Sequence, residues 1–342
     1  MPSVAKDVYA LRAALLDWYD THARTLAWRS PPGTKARPDP YRVWLSEVML
    51  QQTTTPHATP YFLAFTQRWP TVRDLAAAED GDVMAAWAGL GYYARARNLL
   101  ACARAVASGH DGAFPETEEG LRALPGLGAY TAAAVAAIAF GRAANVVDGN
   151  VERVMARLFA VETPLPTARP ELKSLAGSLV GEERPGDWAQ ALMDLGATVC
   201  RPKTPLCGDC PLTHWCTGFQ SGQPERYPLK IKKADRPRRT GFAWVLQDRE
   251  GRVALVRRPD KGLLGGMLGL PTSDWSAEAS DGPPAEADWR EAGAIEHVFT
   301  HFALTLNVRA ARGDGDFIWT PVDEALASLP TVFRKALERG LG

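Results

Sequence analysis

The sequence predicts two domains of different class: an all-α domain over residues 1–222 and a smaller α+β domain over 240–342, joined by a linker at 223–239. Three observations lead there. Up to about Phe219, apolar residues recur at intervals of three and four, the period of helices that bury one face. Beyond residue 220 the pattern shifts to alternation, the period of half-buried strands. Near the change lie four of the chain's five cysteines, Cys200, Cys207, Cys210 and Cys216.

The helical segments are "YRVWLSEVMLQQT", "TPYFLAFTQRW", "ARARNLLACARAVAS", "YTAAAVAAIAF", "NVERVMARLFAV" and "DWAQALMDLGATV". Glycine and proline separate them at "WPTV", "GLGYY", "FPET" and "LPGLG", where the backbone must turn. The Pro-rich stretch 29–40, "RSPPGTKARPDP", is expected as a surface loop. "SGQPERYPLKIKKADRPRR" is polar and basic, as a linker would be. After it, "TGFAWVLQDREGRVALVRRP" places two alternating runs around a Glu-Gly turn, a β-hairpin pattern. "HVFTHFALTLNVRA" and "DFIWTPV" supply further strands, and "DEALASLP" and "VFRKALERG" short helices.

A length of 342 residues suffices for two domains, and 46% hydrophobic with 23% charged residues is an ordinary globular balance. Lys plus Arg number 39 and Asp plus Glu 39, so nucleic-acid binding would have to rest on local basic patches. The longest apolar stretch, around Ala129–Phe140, falls short of the roughly 20 residues of a membrane span. "MPSVAKDVYA" lacks the basic-then-apolar order of a signal peptide. A cytoplasmic location with no membrane contact is expected.

The cysteine spacing is C-x6-C-x2-C-x5-C. In a reducing compartment such clustering favours a metal centre over disulfides. Zinc is the simplest occupant of four thiolates, but zinc sites tend to pair short knuckles and only the central pair here is close. The fifth cysteine, Cys102, stands alone in a helical pattern and reads as a small core residue.

Two carboxylates stand out. Glu47 lies within "YRVWLSEVMLQQT", among Val43, Trp44, Leu50 and Gln51. It is either exposed on a polar side or deliberately buried, and burial would raise its pKa towards that of a general acid. Asp148, in "VDGN", precedes a helix as an N-cap, with Asn150 and Val151 expected to supply N–H groups. Such a position favours the ionised form at neutral pH, although most such aspartates only cap. Acids pushed in opposite directions can divide proton donation from stabilisation of a sugar cation, as in glycoside hydrolysis. Between them in the chain, Gly126-Leu127-Gly128 joins two helices. It is either a plain turn or a turn whose N–H groups, with the next helix's N-terminus, grip a phosphate.

Together, "SEVMLQQT", "GLGYYARARNL", "LPGLGAYTA", "VDGNVERV", "ALMDLGA" and the four-cysteine loop resemble the MutY-type adenine DNA glycosylases of the endonuclease III-like helix-hairpin-helix superfamily. The motifs span most of residues 24–216 in family order and spacing. The resemblance implies a glycosylase domain with a [4Fe–4S] loop, then a Nudix-like domain that recognises 8-oxoguanine in the opposite strand. It implies removal of adenine mispaired with 8-oxoguanine, by a monomer on double-stranded DNA. In that family's scheme Glu47 protonates the adenine ring, Asp148 stabilises, or transiently bonds, the sugar cation, and Tyr130 is a hydrogen-bonding member of the site. Gln52 and Tyr92 enter the stack, Gln190 contacts the adenine edge, Trp28 and Arg29 line the pocket, and Gly126 and Gly128 hold phosphate. Cys200, Cys207, Cys210 and Cys216 hold the cluster. In the second domain "HVFTHF" matches a Phe-Ser-His loop, assigning Phe299, Thr300 and His301 to 8-oxoguanine.

Tyr130 stands where bifunctional relatives carry a lysine nucleophile. A phenol cannot form the Schiff base of a lyase, which argues against an endonuclease III-like lyase on oxidised pyrimidines. The presence of both Glu47 and Asp148 argues against a non-catalytic DNA-binding scaffold. The chain departs from the family at Glu152, a commonly basic position, and at "GLLGGMLGLP", which lacks the usual tryptophan. No acidic Nudix box follows Gly269, so the second domain should read a base and not hydrolyse a diphosphate.

Overall fold

The computed structural model describes residues 7–34, 36–231, 236–259, 262–299 and 301–342. The chain divides into two compact units, Met1–Lys232 and Lys233–Gly342. Among the described residues no helix is long and apolar enough to cross a membrane.

The first unit is helical: α1 Val8–His22, α2 Pro40–Met49, α3 Thr55–Arg68, α4 Val72–Ala76, α5 Asp80–Ala86, α6 Ala94–Gly109 and α7 Glu118–Arg122. There follow α8 Ala129–Phe140, α9 Gly149–Leu158, α10 Arg169–Gly177, α11 Pro185–Asp194 and α12 Thr217–Gln220. The alanine-rich α8 is the central helix. Its small side chains let α2, α7 and α11 pack directly against it, and Thr131 to Ala137 are all buried. It stops at Gly141, whose φ of 64° is the left-handed conformation that ends helices. α2 starts with Pro40 behind a capping Asp39, whose carboxylate accepts from the Tyr41 N–H, an arrangement suited to a first turn. Every residue from Val43 to Met49 on it is buried. Cys102 on α6 is fully buried, as a core residue. α11 runs on into a π-helical turn, Leu195–Val199, a distortion frequent beside functional sites.

The stretch expected as linker begins packed on this unit. Arg157 donates from Nε to the Tyr227 carbonyl at 3.0 Å, and Leu165 pairs with Leu229 and Ile231 through backbone hydrogen bonds. Polarity pointed to a linker, but backbone groups found partners on the helical surface.

The second unit is a mixed sheet with two helices. Its strands are β1 Arg238–Gln247, β2 Val253–Arg257, β3 Leu268–Gly269, β4 Arg290–Val298, β5 Ala303–Arg312 and β6 Ile318–Thr320, followed by helices α13 Val322–Ser328 and α14 Thr331–Leu341. Strand order is β3-β2-β1-β5-β4, with β6 on β2. β1 and β2 form the expected hairpin, while β1 and β5 run parallel in register from Arg238↔Ala303 to Gln247↔Arg312. α14 lays Val332, Phe333, Ala336 and Leu337 on the sheet. Gly340 comes so close that a Cβ there would lie 2.5 Å from Val245 Cγ2. β3 is too short for any periodicity to announce it.

Candidate active site

An open cavity of about 780 Å³ in the helical unit gathers most of the expected site. Trp28, Arg29, Glu47, Gln52, Gly126, Gly128, Tyr130 and Asp148 all line it, although up to 120 residues of sequence separate them. α2 delivers Glu47, the turn before α8 delivers the glycines, the first turn of α8 delivers Tyr130, and the N-cap of α9 delivers Asp148.

Glu47 is the buried alternative of the two the sequence allowed: 6% of it is exposed. Burial pushes its carboxyl pKa up; a hydrogen bond from Tyr130 and the Arg29 charge oppose the rise, and the Asp148 charge adds to it. The Tyr130 hydroxyl donates to Glu47 Oε2 at 2.8 Å. Burial and then the Glu47 charge hold the Tyr130 pKa well above that of a free phenol, so the hydroxyl keeps its proton and acts as a donor. Gln51 donates from Nε2 to Thr131 Oγ1 at 3.1 Å, a second tie between α2 and α8.

Asp148 caps α9 as expected: Oδ1 accepts from the Val151 N–H at 2.7 Å. The second donor differs from expectation. Asn150 contributes its side-chain amide, 2.9 Å from Asp148 Oδ2, where its backbone N–H had been expected. Arg153 Nη2 in turn donates to Asn150 Oδ1 at 2.8 Å, and its Nε donates to the Cys200 carbonyl at 2.8 Å. The carboxylate is thus braced through two side chains against the start of the cysteine loop.

Behind the pocket wall lies a carboxylate the sequence reading missed. Asp194, fully buried, accepts from Arg24 Nε at 2.5 Å and from Arg29 Nη1 at 2.7 Å. Arg24 also lines the cavity. The signal was present: Asp194 is a lone carboxylate in the apolar run "WAQALMDLGATV", as Glu47 is in its own. Trp28 both packs in the core and lines the cavity: it is buried, edge-on to Phe62 at 5.3 Å.

Gly126 has φ of 75°, and a Cβ there would lie 2.6 Å from Asn98 Cβ. At Gly128, the N-cap of α8, the same position meets nothing within 4 Å. The exposed turn therefore opens onto the cavity rim. Gln52 and Tyr92 are exposed, with left-handed φ of 56° and 49°. Tyr92 is 56% exposed, which excludes core packing. Gln190 is a correction. Buried on α11, it donates to the Gly186 carbonyl at 3.2 Å and lines a different cavity, beside the Pro-rich loop. Helical period placed it on the right helix but could not say which cavity that part of the helix meets. Glu152 accepts from Arg169 at 3.1 Å, so its charge is met within the chain.

Cys200, Cys207, Cys210 and Cys216 line one cavity with Arg157 and apolar side chains. Burial lifts the Cys210 thiol to about 12 and raises Cys207 and Cys216. Arg157 Nη1 donates to Cys200 Sγ at 3.2 Å. Among the described residues no three His, Cys, Asp or Glu side chains converge on one point as a single ion requires. What the four sulfurs share is the wall of a cavity.

In the second unit, Phe299 and His301 flank the tip of the β4–β5 hairpin, closed by the Phe299 N–H to the Phe302 carbonyl at 2.9 Å. Phe299 stacks on Trp275 at 5.6 Å and His301 is exposed. Thr300 lies outside the described residues.

The helical unit thus combines a glycine turn, two carboxylates on one cavity and a four-cysteine loop. The profile described as HhH-GPD superfamily base excision DNA repair protein matches residues 45–176, and that of the NUDIX domain matches 242–339. A solved thermostable thymine-DNA glycosylase is similar at TM-score 0.56 and 29% identity, over 63% of this chain and 98% of that one. Adenine DNA glycosylase of Homo sapiens is 36% identical, over 92% of this chain and 69% of its own length. That of Mycolicibacterium smegmatis is 40% identical, over 68% of this chain and 79% of its own. The chain belongs to the adenine DNA glycosylase family.

Proposed function

We propose that this protein is a monofunctional adenine DNA glycosylase of base excision repair, hydrolysing the N-glycosidic bond of adenine opposite 8-oxoguanine or guanine in duplex DNA. The observation that carries this reading is the buried Glu47, hydrogen-bonded to Tyr130, in one cavity with Asp148. Adenine must leave its stack to meet groups so enclosed. Glu47, whose burial favours the protonated form, donates a proton to the purine ring and makes it a better leaving group. Asp148 faces the cationic sugar that develops, held in place by Val151 and Asn150. Tyr130 orients Glu47 and offers no amine, so water completes the reaction and the strand stays intact at an abasic site.

Gly126 and Gly128 present a turn and a helix N-terminus to phosphate. Gln52 and Tyr92 enter the stack as adenine leaves. Trp28 packs beside the flipped base, and Arg29 supplies positive charge within the pocket. Phe299, Thr300 and His301 read the opposite base from the second unit. The four cysteine sulfurs around one cavity fit a [4Fe–4S] cluster, with Cys200, Cys207, Cys210 and Cys216 as its ligands. When bound, such a cluster would tie the loop into a rigid brace for Arg153 and Arg157. The protein is proposed to act as a cytoplasmic monomer, at the nucleoid in a bacterium.

Incubation with a duplex holding one adenine opposite 8-oxoguanine tests the proposal, with guanine as the alternative opposite base. Cleavage at the adenine only after alkali is expected. Cleavage without alkali would indicate a lyase, and an intact duplex after alkali a scaffold; either result overturns the reading.

A further inference from the structure

Gln52 and Tyr92 both hold left-handed backbone conformations. Neither is glycine, so each conformation depends on its surroundings. One side chain supports both loops. Arg95, in the first turn of α6, donates from Nη1 to the carbonyls of Val48 at 3.0 Å and Met49 at 3.1 Å. Its Nη2 donates to those of Leu90 at 3.0 Å and Gly91 at 3.3 Å. The first pair are last-turn carbonyls of α2, which lack helical partners and lead directly into Gln52. The second pair belong to the turn that ends in Tyr92. The guanidinium carbon lies 5.7 Å from the Tyr92 ring and 5.3 Å from Trp87, whose indole N–H also donates to Gly91 at 3.0 Å.

We infer that Arg95 is a positioning residue that locks Gln52 and Tyr92 into a single two-pronged wedge, and so governs extrusion of the target base and not bond cleavage. This rests on the stacking role proposed above for those two residues. A planar guanidinium has two separated amino groups, each able to serve one loop. A lysine carries its three hydrogens on one atom and reaches one loop at a time. Extrusion opposes itself by a few kcal/mol, so slack between the prongs lowers the extruded fraction while leaving the Glu47 and Asp148 chemistry as it was.

The test uses Arg95→Lys and Arg95→Met in the full chain, on a duplex with 2-aminopurine beside an adenine opposite 8-oxoguanine. Single-turnover excision should fall at least tenfold, with the 2-aminopurine fluorescence rise falling in step and the alkaline pH limb unmoved. On a duplex whose target adenine faces an abasic site, where extrusion breaks no pair, the rate should return to within threefold of the unsubstituted chain. An equal loss on both duplexes, or a displaced pH limb, overturns the lock. A second measurement needs no Arg95 variant: Gln52→Ala and Tyr92→Ala should be non-additive by at least fivefold, and additivity within twofold overturns the single wedge. If the unsubstituted chain excises nothing, the glycosylase reading itself has failed, separately from the wedge.

Discussion

Glu47→Gln should abolish excision and stabilise the fold at once. The substitution keeps the side chain's shape, and Tyr130 can still donate to the amide oxygen, but no transferable proton remains. A positioned general acid contributes about 10²–10⁴-fold, or about 3–5 kcal/mol of barrier at 1.36 kcal/mol per tenfold. Stability moves the other way. Burial raises the folded pKa of Glu47 above its reference of 4.5, so between the unfolded and folded values the native state binds more protons. Stability contributed by the protonated form is therefore complete below the unfolded pKa and is lost as pH rises through the folded one. Gln has no such dependence. The melting temperature of the variant should match the parent below the unfolded pKa and exceed it by a growing margin as pH rises from there through the folded pKa. Each kcal/mol corresponds to about 2–4 °C in chains of roughly 150–250 residues. Single-turnover excision and calorimetry across that pH range measure both effects. Excision within tenfold of the parent, or a melting-temperature gap independent of pH, would refute the buried-acid account.

Asp148→Asn should remove excision while leaving duplex affinity within about threefold, as gel-shift binding and alkali cleavage together would show; normal turnover removes Asp148 from its role. Tyr130→Phe deletes a hydrogen bond that holds the Glu47 pKa down, so the alkaline limb of the excision profile should move to higher pH; a limb that stays put would remove Tyr130 from that role. Asp194→Asn leaves Arg29, 8% exposed, without its buried counter-charge, and denaturant titration should show a loss of about 3–5 kcal/mol. Duplex affinity should fall steeply between 50 and 200 mM salt; a flat profile would count against phosphate contacts at Gly126 and Gly128.

Helical period named the helices that carry the site, and punctuation placed the turn at Gly126 and the cap at Asp148. Period could not choose between an exposed and a buried Glu47, because a lone carboxylate on an apolar helix satisfies either pattern until the neighbours of α2 are in place. The same limit misplaced Gln190 and hid Asp194, which differ only in the cavity or partner that their stretch of α11 meets. Arg95 carried no signal at all, since its four acceptors are backbone carbonyls up to 47 residues away and carbonyls are identical in every residue.

By itself, the sequence determined the two domain classes, the cysteine loop and the two candidate carboxylates at 47 and 148, because residue type and local period are properties of short segments. Only the tertiary structure decided which carboxyl is buried, which donors hold each one, and that residues 47, 130 and 148 share a cavity. Desolvation and Coulomb interaction act through space between segments remote in the chain, so proton affinity and alignment at the site exist only once those segments pack.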